Sequence, residues 1–281
     1  MRTAGRLLRR LNDGLAHKLG VRVVRSERDS AEYRQYQFSV PISKCVNSYG
    51  YSYCPDALEH PFVVTLKEYA HNPDITCPET NLYRFWQNFR PRSLQEALFG
   101  DSTQQDCKTA SIRYVEGFDS FQVNPMPMPW SNDAKLRRYR ELQPRNPQTP
   151  EVHFKRLTRL FDSVTANGYR PERYSDGSLR HGFIRVCMLK NGDDLRFVIL
   201  GGQHRLAVLS ALGHNHVDAI FDYHMLHTPP VVDLATLDHW TVIRRGLYDS
   251  AAAHRVFGRL FGLVTPFSRA ASLQDKKGSV L

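Results

Sequence analysis

Cysteine is scarce in this chain, five residues in 281, and an odd number at irregular spacings argues against a disulfide framework. Cys45, Cys54, Cys77 and Cys107 have His60 and His71 between them. They lack the Cys-x-x-Cys pairs that structural zinc sites use and read as ordinary thiols. No run approaches the ~20 apolar residues of a membrane-spanning helix, and the first residues lack the continuous apolar stretch of a secretion signal. The expectation is a cytoplasmic protein. Acidic residues are also in short supply, Asp+Glu 28 against Lys+Arg 38, which leaves a formal net charge of +10. Acidic partners such as nucleotides, nucleic acid or anionic lipid suit that balance, and charge alone does not choose among them.

Half of the excess sits in the first thirty residues, where Arg2, Arg6, Arg9, Arg10, Lys18, Arg22, Arg25 and Arg28 face only Asp13, Glu27 and Asp29. Leu7, Leu8, Leu11, Leu15 and Leu19 form one helical stripe there, so residues 1–30 read as a basic amphipathic helix. Such a helix docks on its own protein or lies on an anionic membrane surface. Residues 31–111 are rich in aromatics and broken by prolines. Leu82, Phe85, Trp86 and Phe89 fall at helical spacing, a pattern of core packing rather than of a base-stacking platform. Ser93 with Glu96 has the spacing of a capping box, and a polar stretch over 101–111 marks a boundary.

The most informative stretch is Phe197-Val-Ile-Leu-Gly-Gly-Gln-His-Arg-Leu-Ala-Val-Leu-Ser-Ala-Leu-Gly213. Four apolar residues read as a buried strand, Gly201-Gly202 as a turn, and Leu206, Leu209 and Leu212 as one face of a helix closed by Gly213. A glycine turn at a helix amino end suits an anion. The backbone approaches closely, the first helical N–H groups lack intrahelical acceptors, and the helix dipole favours negative charge. Gly201, Gly202, Gln203, His204 and Arg205 are the candidate binding residues, with Arg205 able to grip a phosphate through two parallel hydrogen bonds. Upstream, 152–166 reads as an amphipathic helix closed by Asn167-Gly168, and residues 183–189 and 196–200 as two strands joined at Asn191-Gly192. Val217-Asp-Ala-Ile-Phe221 reads as a further strand, completing a strand, helix, strand unit. Phe121-Gln-Val-Asn-Pro125 is a short strand candidate, and helical stretches are expected over 234–247 and 250–261, the latter opened by Ser250.

This order of elements, with Leu160-Phe-Asp-Ser-Val-Thr-Ala-Asn-Gly168, Gln143-Pro144-Arg145 and Gly201-Gly-Gln-His-Arg205 followed by Leu206-Ala207, resembles the ParB/sulfiredoxin superfamily over residues 113–223. The resemblance implies an α/β (α+β) fold with a small mixed sheet. The ParB/sulfiredoxin-like domain would occupy 112–225, with a mainly helical N-terminal region before it and C-terminal helices over 226–281. It implies binding of a nucleoside triphosphate, ATP or CTP with Mg, by the 201–205 box. It also implies a small-molecule kinase or NTPase, in which His204 and Arg205 stabilise the transferring phosphoryl group for an acceptor that the sequence does not name. Sulfiredoxins carry a reactive cysteine where this chain has Gln203, and a carboxamide is neither a nucleophilic thiolate nor a redox centre. Asp193, Asp194, Asp222 and Glu151 are the nearest carboxylates for a general base, and each also fits an ordinary turn, strand-end or helix-start role. Residues 240–246 and 251–261 are similar to bacterial ParB-like proteins associated with surface-polysaccharide genes. The alternatives from other classes are a ParB-like DNA-associated protein without turnover and a non-catalytic scaffold.

Overall fold

The computed structural model describes residues 37–89, 128–131, 147–171, 182–221, 228–246 and 248–262. The amphipathic helix of 1–30, the capping box at Ser93, the strand at Phe121, the tripeptide at Gln143, Cys107 and Asp222 lie outside them. In chain order the elements are β1 (Gln37–Pro41), β2 (Cys45–Val46), α1 (Pro61–His71), α2 (Asn81–Asn88), α3 (Thr149–Asn167), β3 (Ile184–Asn191), β4 (Asp194–Gly201), α4 (Gln203–Ala211), β5 (His216–Phe221), β6 (Val231–Asp233), α5 (Thr241–Arg244) and α6 (Ser250–Phe261).

The helix ends follow local chemistry. α1 begins at Pro61, where the absent N–H is no loss, and the His60 side chain caps it by accepting from Phe62 N–H. Thr80 caps α2. Asp249, one residue earlier than the expected Ser250, caps α6 by accepting from Ala251 and Ala252 N–H. Its carboxylate reaches both orphan donors from the extended backbone of the cap position. The β3–β4 hairpin also turns one residue later than the sequence suggests. Asn191 pairs with Asp194, so Gly192 and Asp193 form the loop, and Gly192, at φ 59°, takes the first loop position that glycine favours.

All six strands belong to one mixed sheet in the order β1-β5-β3-β4-β2, with β6 also pairing with β3. β3 is its hub. It runs antiparallel to β4 and parallel to both β5 and β6, β5 along its first half and β6 along its second. Two expectations change here. The sheet is not confined to 112–225, because β1 and β2 come from the region read as mainly helical and β6 from the C-terminal extension. Their short runs of two to five residues are hidden in the sequence by neighbouring prolines and aromatics. Nor do β4, α4 and β5 form a parallel crossover unit. β5 lies beyond β3 and runs antiparallel to β4, so α4 links strands of opposite direction.

The sheet also curls. Only Ile42–Lys44 separate β1 from β2, which sit at opposite ends of the strand order. Four Cα steps from Pro41 to Cys45 span at most ~15 Å, whereas four strand spacings in a flat sheet need ~19 Å. The two ends must therefore bend toward one another, and Cys45 Sγ does reach Pro41 O at 3.5 Å.

Alternation along the strands gives the sheet two buried faces. Ile184, Val186, Met188, Phe197, Ile199, Val217 and Ala219 share one core with residues of α1, α3 and α4. Cys187, Leu189, Val198 and Leu200 share the other with Trp130, Trp240 and the apolar side of α6. Among the described residues no helix is long and apolar enough to cross a membrane. Phe197 is fully buried at the centre of the first core, so Phe197→Ala should destabilise the fold by about 3–5 kcal/mol, read as a lower midpoint in urea unfolding.

Candidate functional site

The carboxyl end of β4 and the amino end of α4 build the site. Gly201 closes β4, and Gly202 is the N-cap of α4 in the left-handed conformation, φ 82° and ψ 20°. A side chain at Gly202 would be strained by that backbone and would press on Ile184 Cδ1 at 2.8 Å. Gln203 opens the helix, part-exposed. Arg205 folds back over the turn, with its Nη2 3.4 Å from where a Gly202 Cβ would stand.

A second arginine reaches the same turn. Between Arg185 and Val186 the β3–β4 register shifts, and Arg185 stands opposite Gly201. Its guanidinium lies so close to Gly201 that any Cβ there would overlap it. The sequence shows Arg185 only as the polar residue interrupting an apolar strand. A bulge is a backbone event, and it is what brings this side chain over the turn.

His204 sits otherwise than the sequence suggests. Its ring packs against α1 and α3. Phe62 of α1 stacks on it, with ring centroids 4.9 Å apart and planes at 20°. His204 Nε2 lies 2.7 Å from Nδ1 of His153 in the first turns of α3, and the two rings are nearly parallel at 13°. His60 is the third member of this group. Its Nδ1 accepts the Phe62 N–H at 3.2 Å, which places the proton of the neutral ring on Nε2. That atom is buried and has no hydrogen-bond partner. The ring of His60 packs on Tyr53, with centroids 4.1 Å apart, and the Tyr53 hydroxyl is likewise buried without a partner. The three histidines stand far apart in the chain, so no spacing rule points to the cluster; only the packing of α1, α3 and α4 assembles it.

Burial keeps His60 and His204 neutral. Burial lowers His204 well below its ordinary value, helped by the basic groups His153, Arg156, Arg205 and His60 around it. Burial also lowers His60 to about 3. Of the carboxylates considered as bases, Asp193 and Asp194 stand at the β3–β4 turn, the opposite end of β4 from Gly201. Asp194, at the far end of β4, bonds Lys44 at 3.1 Å and Leu195 N–H. Glu151 pairs with Lys155 one turn along α3. Cys45, Cys54, Cys77 and Cys187 are free thiols. Among the described residues no group of three or more His, Cys, Asp or Glu side chains could hold a metal.

The depressed histidines fix the direction of the pH response. An unfolded histidine takes up a proton near 6.5, while the folded chain keeps His60 and His204 neutral well below that. The unfolded state then binds more protons, and acid favours it. Stability should be intact above about pH 6.5 and fall steadily toward pH 3, measured by thermal melts across that range. His60→Asn, which retains a helix-capping side chain without a titrating ring, should flatten the decline. In comparisons with known proteins, no family model, no curated protein and no solved structure matches this chain.

Proposed function

We propose that Gly201, Gly202, Gln203 and Arg205, joined by Arg185, bind a phosphate group of a nucleoside triphosphate. The protein is then a cytoplasmic, ParB/sulfiredoxin-like nucleotide-binding protein acting as a small-molecule kinase or NTPase. The observation that carries this reading is the convergence of two guanidinium groups on a left-handed glycine turn at the amino end of α4. Glycine backbone, orphan N–H groups and two arginine forks are complementary to phosphate oxygens. In the proposed reaction they would stabilise charge on the transferring phosphoryl group. His204 supports the turn from beneath instead of donating to the phosphate. No protein ligand is assigned to Mg, since none of the described residues forms a metal-holding group, and no step is routed through it.

The close contact of Arg185 with Gly201 also supports a second reading, in which this side chain fills the turn permanently and the box is structural. The two separate in one experiment. On the first reading, ATP or CTP with magnesium raises the melting temperature of the wild type, and Arg205→Ala or Arg185→Ala weakens the affinity at least tenfold, as expected for loss of a charge-assisted hydrogen bond worth about 1.5–3 kcal/mol. Absence of any shift with ATP, CTP or inorganic phosphate at millimolar concentration favours the structural reading.

A further inference from the structure

A 2.7 Å contact between two imidazole nitrogens, His153 Nδ1 and His204 Nε2, requires one hydrogen between them. One ring donates its N–H and the other accepts on its lone pair. The neutral pair satisfies this, and one extra proton is also accommodated. It enters on the outer nitrogen of the donating ring, which becomes an imidazolium and strengthens the shared hydrogen bond. A second extra proton would set two N–H groups against each other and break the contact. The pair is therefore built to hold one added proton and no more.

Whether it holds that proton depends on the surrounding charge. The groups that face His204 are basic on every element packed against it: Arg205 on α4 itself, His153 and Arg156 on α3, and His60 at the head of α1. Arg185 on β3 lies one residue beyond, over Gly201. The Phe62 ring stacks on His204 and shields that side of it from water. An added proton is unfavourable in this environment. A phosphate dianion on the Gly201–Arg205 turn would cancel the charge of both arginines at the end of the helix that carries His204 and leave Arg156 as the one guanidinium among the described residues still acting on the ring.

We propose that the His153–His204 pair is a proton acceptor coupled to anion binding: a phosphate dianion occupies the turn and the pair takes up one proton from solution. The inference rests on the phosphate reading above and adds a partner to it. No bond to phosphorus forms or breaks; the proton moves from solvent to an imidazole nitrogen. His153 is a positioning residue, acting through His204 and not on the ligand.

The test is titration calorimetry of the full chain with ATP and with CTP at pH 7.5, where the terminal phosphate is already dianionic, in buffers of different ionisation heat. The expected result is an apparent binding heat that rises linearly with buffer ionisation heat, with a slope of about one proton taken up per site, and an affinity that falls up to tenfold per pH unit above the uptake range. His153→Asn places a carboxamide near the Nδ1 position and offers His204 a non-titrating partner. This variant should still bind while its heat becomes independent of the buffer. If it does not fold, the wild-type slope and pH profile decide alone. Saturable binding with buffer-independent heat in the wild type overturns the coupling and leaves the phosphate site standing. No heat with ATP, CTP or inorganic phosphate overturns both.

Discussion

The glycine pair at the end of β4 is the constraint on which the site depends. At Gly201 the restriction is space, because the Arg185 guanidinium stands where a side chain would begin. At Gly202 it is backbone geometry, because the chain must turn through a left-handed conformation to pass from strand to helix. Together they start α4 abruptly, so the second helical residue, His204, points back into the molecule and meets α1 and α3. A more gradual turn would rotate α4 about its axis and separate the ring from His153 and Phe62. The same two residues thus define both the outer surface of the turn, with its arginines and free helix end, and the inner one, with its histidines.

Much of the middle of the chain is legible in the sequence, for identifiable physical reasons. α3, β3, β4 and α4 each carry a long and regular hydrophobic period, and glycine marks their ends. The short strands are not legible. β1, β2 and β6 pair over five residues or fewer, too few for alternation to stand out. Their partners lie more than a hundred residues away for β1 and β2. The antiparallel course of β4 and β5 is hidden for a related reason, since strand, helix, strand reads the same whichever way the second strand runs. Within the site, the residues contiguous in sequence are found and the distant ones are not. Arg185 reaches the turn through a bulge, His153 through the placement of α3, and His60 through its role as a cap.

The buried histidines illustrate how desolvation and like charge act together. Burial depresses both His60 and His204, neighbouring basic groups add to it at His204, and both use ring nitrogens as hydrogen-bond partners. His60 spends one nitrogen on the backbone of α1 and leaves the other buried without a partner beside the equally unpartnered Tyr53 hydroxyl. Each such atom costs about 1–3 kcal/mol relative to a satisfied one. Two such atoms, on rings whose centroids lie 4.1 Å apart, make this a costly part of the core. Local strain of this kind collects where a structure is organised for something besides stability.

The three-residue link between β1 and β2 has a consequence for how this molecule meets others. By drawing the first and last strands of the order toward one another, it curls the sheet and turns its two outer strands to the same side. β2 offers only two paired residues, so the five residues of β1 are the longer outer strand of the order. Pairing of an added strand along the described sheet is therefore confined to short runs, the longer of them on β1.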